Sequence, residues 1–494
     1  MEKKKETDVL IIGGGIIGLS IVRELSKYQV DVTAVEREAD ISMGISKTGG
    51  SLIYMGLFQA LSLVVKDLGM GLDLEKETRT ERMQMLWSGF SAFDKIAHEL
   101  DIAHKHVGLL LIARNELEIE KLRRLEHLAK FVPGGTVRRV HKKELLEIEP
   151  NVTSDAIEGL YDSTGVISIF GPEYVIAVYE NARENAANIM LETECIGIEE
   201  EKGFQTVLTN KGSIKARFVV NCAGKYADKV ADMGNARSGW NLVFYRSQAL
   251  VFDKKLDGLI NNIVGIPPDA GKIDFFYPLG EGNIHVYAGY YDPSEDKEFM
   301  ETTQENYDDA FVRMKSLVPR ISEDNIITAY VGMRTFNDKE FEENIIEYSP
   351  RSCNFINVLV RMPGFTPAPA IAQKVVGMLG DSGLELKENE NFNPKRKGIP
   401  RFRFLLDEER KEIIAKDSRY GRVICRCETV TEGEIVEAIR RGATTVQGVM
   451  FRSRAGMGRC QRNWCGPKII EILSRELGRK QVTYKGSGFE YFPR

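Results

Sequence analysis

Strand-like and helix-like patterns alternate at the start of the chain. Residues 8–12 form a short apolar run, residues 16–27 repeat apolar positions at helical spacing, and residues 31–35 form a second apolar run. A short apolar run bounded by glycines is typical of a buried strand, and helical spacing is typical of a helix packed on a sheet. The pattern therefore predicts one complete strand–helix–strand unit.

Helical and strand-like patterns continue along the rest of the chain. Between about residues 75 and 130 the pattern is helical and charged, interrupted by the apolar segment VGLLLIA. Further strand-like segments are ARFVVNCAG (216–224), SQALVF (247–252), IDFFYPL (273–279) and NIHVYAGYY (283–291). Such alternation predicts an α/β fold, namely a Rossmann-like nucleotide-binding domain with an inserted α+β substrate domain.

A polar segment precedes a small C-terminal unit that is predicted to be helical. LKENENFNPKRKGIPRFRF is charged and contains two prolines, which predicts a linker between units that fold independently. Beyond it, Thr431 and Glu434 form a T-x-x-E capping box, and Pro467 suits the first turn of another helix. The predicted organisation is a discontinuous nucleotide-binding domain (1–56, 145–235 and 326–385), a substrate-binding domain (57–144 and 236–325), the linker (386–404) and the C-terminal unit (405–485).

Length, composition and charge restrict the class of protein. The chain has 494 residues, of which 43% are hydrophobic and 28% charged, as in a globular protein of two or three structural units. Its net charge of −5 argues against a general nucleic-acid binder. Successive glycines interrupt the first apolar stretch, unlike a signal peptide, and no apolar run is long enough to cross a membrane. We therefore expect a cytoplasmic protein that reaches a membrane only through a partner.

The first predicted strand ends in a G-x-G-x-x-G motif. Gly13, Gly15 and Gly18 allow a tight turn, a close approach to a pyrophosphate and close helix–strand packing. The pyrophosphate would lie at the helix N-terminus, and Glu36, 18 residues beyond Gly18, would accept hydrogen bonds from a ribose. These features predict a dinucleotide site, with tight glycine packing alone as the alternative.

Four of the seven cysteines lie close together in the C-terminal unit. The spacing is Cys425-x-Cys427, then 32 residues, then Cys460-x4-Cys465. In a reducing compartment such a group favours a metal over disulfides. Four thiolates can hold a [2Fe–2S] cluster or a zinc ion, and the absence of C-x2-C pairs favours the cluster. Zinc and unligated thiols remain as alternatives.

These motifs resemble those of known families. CRCETVTEGEI together with RAGMGRCQRNWC closely resembles the [2Fe–2S] domain of bacterioferritin-associated ferredoxin, which occurs fused to large subunits of anaerobic glycerol-3-phosphate dehydrogenases. About 380 preceding residues resemble FAD-dependent oxidoreductases of the D-amino-acid oxidase superfamily. The nearest branch includes L-2-hydroxyglutarate dehydrogenases. The resemblance implies bound FAD, a [2Fe–2S] cluster and a C-terminal iron–sulfur domain.

Two further segments resemble the flavin motifs of that superfamily. FVVNCAGKYAD (218–228) is similar to the second motif, and MPGFTPAPAIAQKVV (362–376) is similar to the third. The cofactor-binding residues implied by the three motifs are Gly13, Gly15, Ile16, Gly18, Glu36, Arg37, Ala223, Gly224, Gly364, Phe365 and Thr366.

The resemblance also implies residues that contact the substrate. YVGMRTF (330–336) is similar to the strand whose arginine faces the substrate, so Arg334 is expected to hold an anionic group, with a structural salt bridge as the alternative. Tyr54 stands where relatives carry a histidine, and either Tyr54 or His285 is the expected base. The alternatives are an aromatic wall for Tyr54 and an ordinary strand residue for His285. Phe58 stands where glycerol-3-phosphate enzymes often carry an arginine.

The expected function is a dehydrogenase rather than an oxidase. A flavin accepts two electrons and an iron–sulfur cluster passes one at a time, so the fusion suits export of electrons to another carrier. We expect oxidation of a small anionic hydroxy compound (glycerol-3-phosphate-like or a 2-hydroxy acid), with electrons passing to a second flavoprotein, a small redox subunit or a quinone. The alternatives are an amine or amino-acid dehydrogenase subunit, and a flavoprotein whose four-cysteine unit is a zinc or docking module.

Overall fold

Two large sheets and a small helical unit form the described part of the chain. The computed structural model describes residues 5–67, 76, 78–201, 203–268, 273–294, 296–298, 301–338, 344–479, 482–483 and 490–491. Within them the strands are β1 (Lys5–Ile12), β2 (Val32–Val35), β3 (Leu52–Tyr54), β4 (His104–Ala113), β5 (Val137–His141), β6 (Glu158–Ile169), β7 (Asn188–Met190), β8 (Cys195–Glu201), β9 (Phe204–Thr209), β10 (Gly212–Asn221), β11 (Leu242–Phe252), β12 (Ile263–Gly265), β13 (Ile273–Pro278), β14 (Ile284–Ser294), β15 (Ile326–Asn337), β16 (Ile345–Tyr348), β17 (Phe355–Leu359), β18 (Val423–Cys425), β19 (Val430–Thr431), β20 (Val482–Thr483) and β21 (Glu490–Tyr491). The α-helices are α1 (Ile16–Leu25), α2 (Gly56–Asp67), α3 (Glu81–Glu99), α4 (Glu116–Ala129), α5 (Lys142–Ile148), α6 (Gly171–Glu184), α7 (Ala227–Met233), α8 (Gln304–Leu317), α9 (Ala368–Asp381), α10 (Asp407–Lys416), α11 (Glu432–Arg440), α12 (Val446–Ser453) and α13 (Gly466–Leu477).

The first sheet has a parallel centre, in the order β16-β17-β10-β1-β2-β7, and β9 and β8 extend it from β10. Ile12 at the end of β1 lies opposite both Val35 of β2 and Asn221 of β10. The carboxyl ends of three strands therefore meet at one edge, which is where open α/β sheets bind nucleotides. The predicted strand–helix–strand unit is confirmed as β1, α1 and β2.

Helices α1 and α9 cover one face of this sheet. Ile21 and Leu25 of α1 join Ile371 and Val375 of α9 in one buried apolar cluster. At Gly18, an added Cβ would lie 2.2 Å from the Gly13 carbonyl oxygen. The helix therefore packs directly on the end of the strand, as the third glycine of the motif predicts.

The second sheet is mostly antiparallel, in the order β15-β11-β14-β13-β12-β4-β6-β3, with β5 paired to β6. It includes β3, β6 and β15, which the predicted boundaries place in the nucleotide-binding domain. Their apolar patterns are the same as those of strands in the first sheet, and their partners are distant in sequence. Sequence pattern alone therefore does not reveal which sheet they join.

The segment predicted as a linker is packed against the first domain. The Asn389 N–H donates to the Lys27 carbonyl at 2.8 Å. The Arg396 side chain is only 4% exposed and pairs with Glu180 of α6 at 2.7 Å. A charged composition predicts exposure, but here the charge is neutralised by a buried partner. The segment therefore fixes the C-terminal unit in place rather than separating two free units.

The C-terminal unit contains the β18–β19 hairpin and, among its described residues, the four helices α10 to α13. Thr431 and Glu434 form the predicted capping box at the start of α11. Pro467 lies in the first turn of α13. Among the helices in the described residues, none combines the length and the apolar character that crossing a bilayer requires.

Candidate active site and redox centre

A cavity of about 670 Å³ opens at the carboxyl ends of β1, β2 and β10. This volume lies within the usual range for ligand and cofactor pockets. The predicted cofactor-binding residues that line it are Gly13, Gly15, Ile16, Glu36, Arg37, Ala223, Gly224, Gly364 and Phe365. Gly18 instead packs beneath the loop, and the Thr366 hydroxyl accepts a hydrogen bond from the Tyr54 N–H at 3.2 Å.

The glycine-rich loop has the form that a pyrophosphate requires. Gly13 has a φ of +117°, and an added Cβ there would lie 2.4 Å from the Cys222 carbonyl oxygen. Gly15 is the N-cap of α1, and no side chain caps the helix at that position. The Ser46 hydroxyl accepts a hydrogen bond from the Ile16 N–H, and the positive end of the helix dipole lies at the cavity, where it suits a phosphate anion.

Glu36 is placed to bind a ribose. Its carboxylate accepts hydrogen bonds from the Gly14 N–H at 2.7 Å and from the Glu38 N–H at 2.9 Å. Burial raises the pKa of Glu36, while these backbone bonds act in the opposite direction. A carboxylate has about four lone-pair sites, so acceptor capacity remains for ribose hydroxyls. The loop and the acid together fit an adenine dinucleotide such as FAD.

Replacing Glu36 with lysine should therefore weaken FAD retention. The change removes an acceptor for the ribose hydroxyls and adds a buried positive charge, so we expect at least a roughly tenfold increase in the Kd for FAD. Flavin absorbance after gel filtration measures occupancy. The control is Glu6→Lys, which makes the same charge change at an exposed position of β1. Undiminished FAD occupancy in Glu36→Lys would contradict the assignment.

Aromatic side chains enclose the end of the cavity next to the second sheet. The Tyr54 and Phe58 rings lie 4.1 Å apart, and Phe58 and Phe275 lie 4.6 Å apart. All three residues line the cavity, together with Tyr287. Phe58 is thus part of an apolar wall. Such a wall excludes water from a reacting group.

Three buried arginines surround Tyr54. Arg82 and Arg334 are each 5% exposed, and Arg361 is 7% exposed. Burial raises the pKa of Tyr54 to about 12, and the positive charges of all three arginines act against this rise. Tyr54 is therefore a neutral hydrogen-bond donor near neutral pH rather than a phenolate base. Of the three arginines, Arg334 lines the cavity.

Arg334 lies on β15 and lines the cavity. Its Nε donates to the Tyr287 hydroxyl at 3.1 Å, and its Nη1 donates to the Met333 carbonyl at 3.1 Å. Its guanidinium also lies over the Tyr287 ring, 5.1 Å from the ring centre. These contacts hold the guanidinium in one orientation at the cavity wall.

His285 lies behind the cavity. Its Nε2 pairs with the Tyr330 hydroxyl at 2.9 Å, and its Nδ1 pairs with the Tyr277 hydroxyl. Because the Tyr277 hydroxyl donates to the Gly50 carbonyl at 2.7 Å, the Nδ1–H must be the donor to Tyr277. Burial lowers the pKa of His285 to about 3. With both nitrogens engaged, His285 is better suited to position Tyr277, which lines the cavity, than to act as the predicted base.

The four clustered cysteines form two pairs. The thiols of Cys425 and Cys465 hydrogen-bond to each other, as do those of Cys427 and Cys460. No three of these sulfur atoms, all in the described part of the chain, lie within 4.8 Å of one another. Four sulfurs around one zinc would all lie about 3.8 Å apart, given a Zn–S bond of about 2.3 Å. Two separate pairs instead fit a cluster of two irons.

The two pairs differ in exposure. Cys425 and Cys465 are buried, whereas Cys427 and Cys460 are partly exposed. The hydrogen bond with Cys465 and the Gly456 N–H, which donates to the Cys425 sulfur at 3.4 Å, lower the pKa of Cys425 to about 6. The inner pair thus faces the protein interior, and the outer pair faces the surface.

Ion pairs connect the cysteine-bearing unit to the rest of the protein. Arg454 lies 3.4 Å from Glu428 and 3.6 Å from Glu281, which belongs to the loop between β13 and β14. Arg403 contacts both of these carboxylates. All four side chains are largely buried. Separating the two units would therefore expose these charges or leave them buried without partners. These ion pairs are direct contacts between the two units, which the sequence did not predict.

Several residues around the cavity lie outside the sequence motifs. Arg361 is next to the MPGF motif, and that adjacency was its only signal in the sequence. The others come from elements far apart in sequence, so no local pattern marks them. These residues are Arg82, Tyr277, Tyr287 and Gln447.

Comparison with known proteins agrees with this geometry. Residues 8–378 match the FAD dependent oxidoreductase family, and residues 423–475 match the BFD-like [2Fe-2S] binding domain. A glycerol 3-phosphate dehydrogenase of Caloramator mitchellensis is 36% identical over 95% of this chain and 94% of its own length. An anaerobic glycerol-3-phosphate dehydrogenase subunit of Haemophilus influenzae is 23% identical over 95% of this chain and 85% of its own length.

A solved structure shows the same fold over the first domains. It is the dithionite-reduced L-alpha-glycerophosphate oxidase from Mycoplasma pneumoniae with FAD bound. Its TM-score is 0.68 at 24% identity, and the match covers 79% of this chain and 98% of that chain. The mixed α/β fold, the FAD and the [2Fe–2S] cluster expected from the sequence are thereby confirmed.

Proposed function

The chain belongs to the FAD-dependent oxidoreductase family, and we propose that it is a dehydrogenase of glycerol 3-phosphate whose electrons leave through the [2Fe–2S] cluster. The observation that carries this proposal is the buried guanidinium of Arg334, which lies at the cavity wall near Tyr54. A phosphate monoester carries a charge of about −1.5 to −2 at pH 7 and has three acceptor oxygens. A guanidinium at the cavity wall suits such a group.

The apolar residue Phe58 does not argue against a phosphate substrate. Arg82 approaches from α3, and Arg361 follows β17. Their charges act on Tyr54 together with that of Arg334, which lines the cavity. A 2-hydroxy acid with two carboxylates would also be attracted. The relative that is 36% identical over nearly the whole chain is named for glycerol 3-phosphate, which favours the phosphate ester.

The proposed roles follow from the contacts. Arg334 holds the anionic group through a charge-assisted hydrogen bond, and the Tyr54 hydroxyl donates to a substrate oxygen. Phe58 and Phe275 keep water away from the carbon that is oxidised. When bound, FAD would supply the acceptor for the hydride from that carbon, and the hydroxyl proton would be released to solvent. Cys425, Cys427, Cys460 and Cys465 are the proposed cluster ligands.

Anaerobic mixing of the purified protein with candidate substrates tests this function. Glycerol 3-phosphate should bleach the flavin absorbance within one turnover. L-2-hydroxyglutarate, free glycerol and neutral amino acids should bleach it at least about 100-fold more slowly, because each lacks the phosphate that the arginines would hold. Rapid bleaching by a 2-hydroxy acid or an amino acid, with none by glycerol 3-phosphate, would assign the substrate to that other class.

The surface around the outer cysteine pair is the proposed exit for electrons. Arg426 stacks over the exposed Trp464 ring at 4.8 Å, and the Lys468 ammonium lies 6.0 Å from the same ring. Arg459 is also exposed beside Cys460. A positively charged rim with an exposed aromatic residue suits an electron-accepting protein whose docking surface is acidic.

Electron transfer to an acidic acceptor protein should therefore depend on this rim. With a ferredoxin as the one-electron acceptor, Arg426→Glu should raise the apparent KM several-fold, and the wild-type rate should fall as salt increases. The control is Arg123→Glu, which makes the same charge change at an exposed position of α4. Equal effects of the two variants would contradict the docking site. Reduction of a quinone in vesicles, without any protein acceptor, would assign the acceptor to the membrane.

A further inference from the structure

Helix α12 of the cysteine-bearing unit reaches the FAD cavity. Gln447, in its first turn, lines the cavity alongside residues of the glycine-rich loop. Gln447 is partly exposed, and it is one of the residues that line the cavity. A residue more than 60 positions beyond the end of the matched FAD oxidoreductase region, 8–378, is thus part of the wall of the cofactor site.

The segment between β2 and β3 supports the glycine-rich loop directly. The Ser42 N–H donates to the Gly14 carbonyl at 3.1 Å. The Ser46 hydroxyl accepts a hydrogen bond from the Ile16 N–H at 3.2 Å. These two contacts hold residues 42–46 against the start of α1, where the pyrophosphate of FAD is expected.

Helix α12 holds this same segment from the other side. The Arg452 Nη2 donates to the Asp40 Oδ1 at 2.8 Å, and its Nη1 contacts the other carboxylate oxygen. Both side chains are only 1% exposed, so this is a bidentate ion pair removed from solvent. An added Cβ at Gly448 would lie 2.4 Å from the Asp40 Oδ2, so glycine is needed for this close approach.

Apolar packing joins the same elements. Phe451 of α12 belongs to one buried cluster with Ile16, Met43 and Phe365, and Met457 packs against that cluster. Ile16 and Phe365 line the FAD cavity. The polar and apolar contacts therefore both connect the cysteine-bearing unit to the residues that hold the flavin nucleotide.

We propose that the cysteine-bearing unit completes the FAD site. Gln447 is a cofactor-binding residue, and Arg452 is a positioning residue that acts through Asp40 to hold residues 40–46 on the glycine-rich loop. The unit therefore has a role in FAD retention in addition to any role in electron transfer. FAD binding and docking of this unit are then linked, so each favours the other. The inference does not depend on the identity of the substrate.

The direct test is Gln447→Ala in the full-length protein. Loss of one hydrogen bond to FAD should raise the Kd for FAD about five- to tenfold, measured by flavin fluorescence during titration of the apoprotein. Iron and acid-labile sulfide should stay at wild-type levels. The control is Gln373→Ala, the same change at an exposed position of α9. An unchanged Kd for FAD in Gln447→Ala would overturn the binding role.

A second variant tests Arg452. Arg452→Ala alone would leave Asp40 charged and buried, and it is expected to destabilise the fold. The double variant Asp40→Asn with Arg452→Gln removes both charges and retains most of the volume. If Arg452 positions the loop, FAD should dissociate at least about tenfold faster while cluster content and the Tm of the apoprotein stay within the wild-type range. Unchanged FAD dissociation, or dissociation that changes only together with the apoprotein Tm, would show that the pair is merely structural.

Discussion

Replacing Arg334 with alanine is expected to lower kcat/KM for glycerol 3-phosphate by about two decades. The guanidinium is buried at the cavity wall and oriented by Tyr287 and the Met333 carbonyl. Removing it leaves the substrate anion with one charged partner fewer, a loss of a few kcal/mol. The substrate should bind more weakly and should be less well oriented at the flavin, so KM should rise and kcat should fall. Steady-state kinetics with an artificial acceptor would measure both parameters.

Two further variants make this result interpretable. Arg334→Lys retains the charge but not the two-pronged hydrogen bonding, so an intermediate loss is expected. Arg320→Ala, at an exposed position, should leave kinetics unchanged. FAD content should be normal in all three. Unchanged kinetics in Arg334→Ala would mean that Arg334 has a structural role.

The nucleotide site was predictable because its physics is local. A strand, three spaced glycines, a helix and an acid within about 30 residues determine a phosphate-binding turn. Gly13 was recognisable from the motif. The structure shows why glycine is required there, since its φ of +117° and the nearby Cys222 carbonyl exclude any side chain. The group of four cysteines was predictable for a similar reason, since its motifs lie on two short loops. The spacing does not show that Cys425 is next to Cys465 and Cys427 next to Cys460.

The substrate end of the site was only partly predictable. Arg82 comes from α3 and Arg361 follows β17, and their approach to Tyr54 depends on how two sheets and a helix pack together. No periodic pattern in the sequence predicts such a long-range contact. His285 was predicted as a possible base from the sequence. In the structure, both of its ring nitrogens pair with tyrosine hydroxyls, which no sequence pattern indicates.

Composition misled where charged side chains are buried. Residues 386–404 have the composition of a solvated linker, yet Arg396 and Arg401 pair with Glu180 and Glu173 in the first domain. Composition reports charge but not the partner that neutralises it. For the same reason, composition does not indicate the Arg452–Asp40 ion pair, whose members are 412 residues apart.

Cys460→Ser is expected to stop electron export while the reaction at the flavin continues. Serine is a poor substitute for a thiolate at iron, so the cluster should be lost or its potential changed. Cys460 belongs to the partly exposed outer pair, and the contacts to the FAD site come from α12. Substrate should therefore still bleach the flavin in a single turnover. Steady transfer to a ferredoxin should fall by at least about tenfold.

The outcome distinguishes three roles for the C-terminal unit. Cys353→Ser, which removes an exposed cysteine outside the group, is the matched control and should behave as wild type. If flavin bleaching by substrate is lost in Cys460→Ser while FAD is retained, the cysteines take part in substrate oxidation. If export persists at the full rate without iron or acid-labile sulfide, the unit serves docking and FAD retention only. Loss of export with bleaching intact requires the cluster to be the route by which electrons leave the flavin.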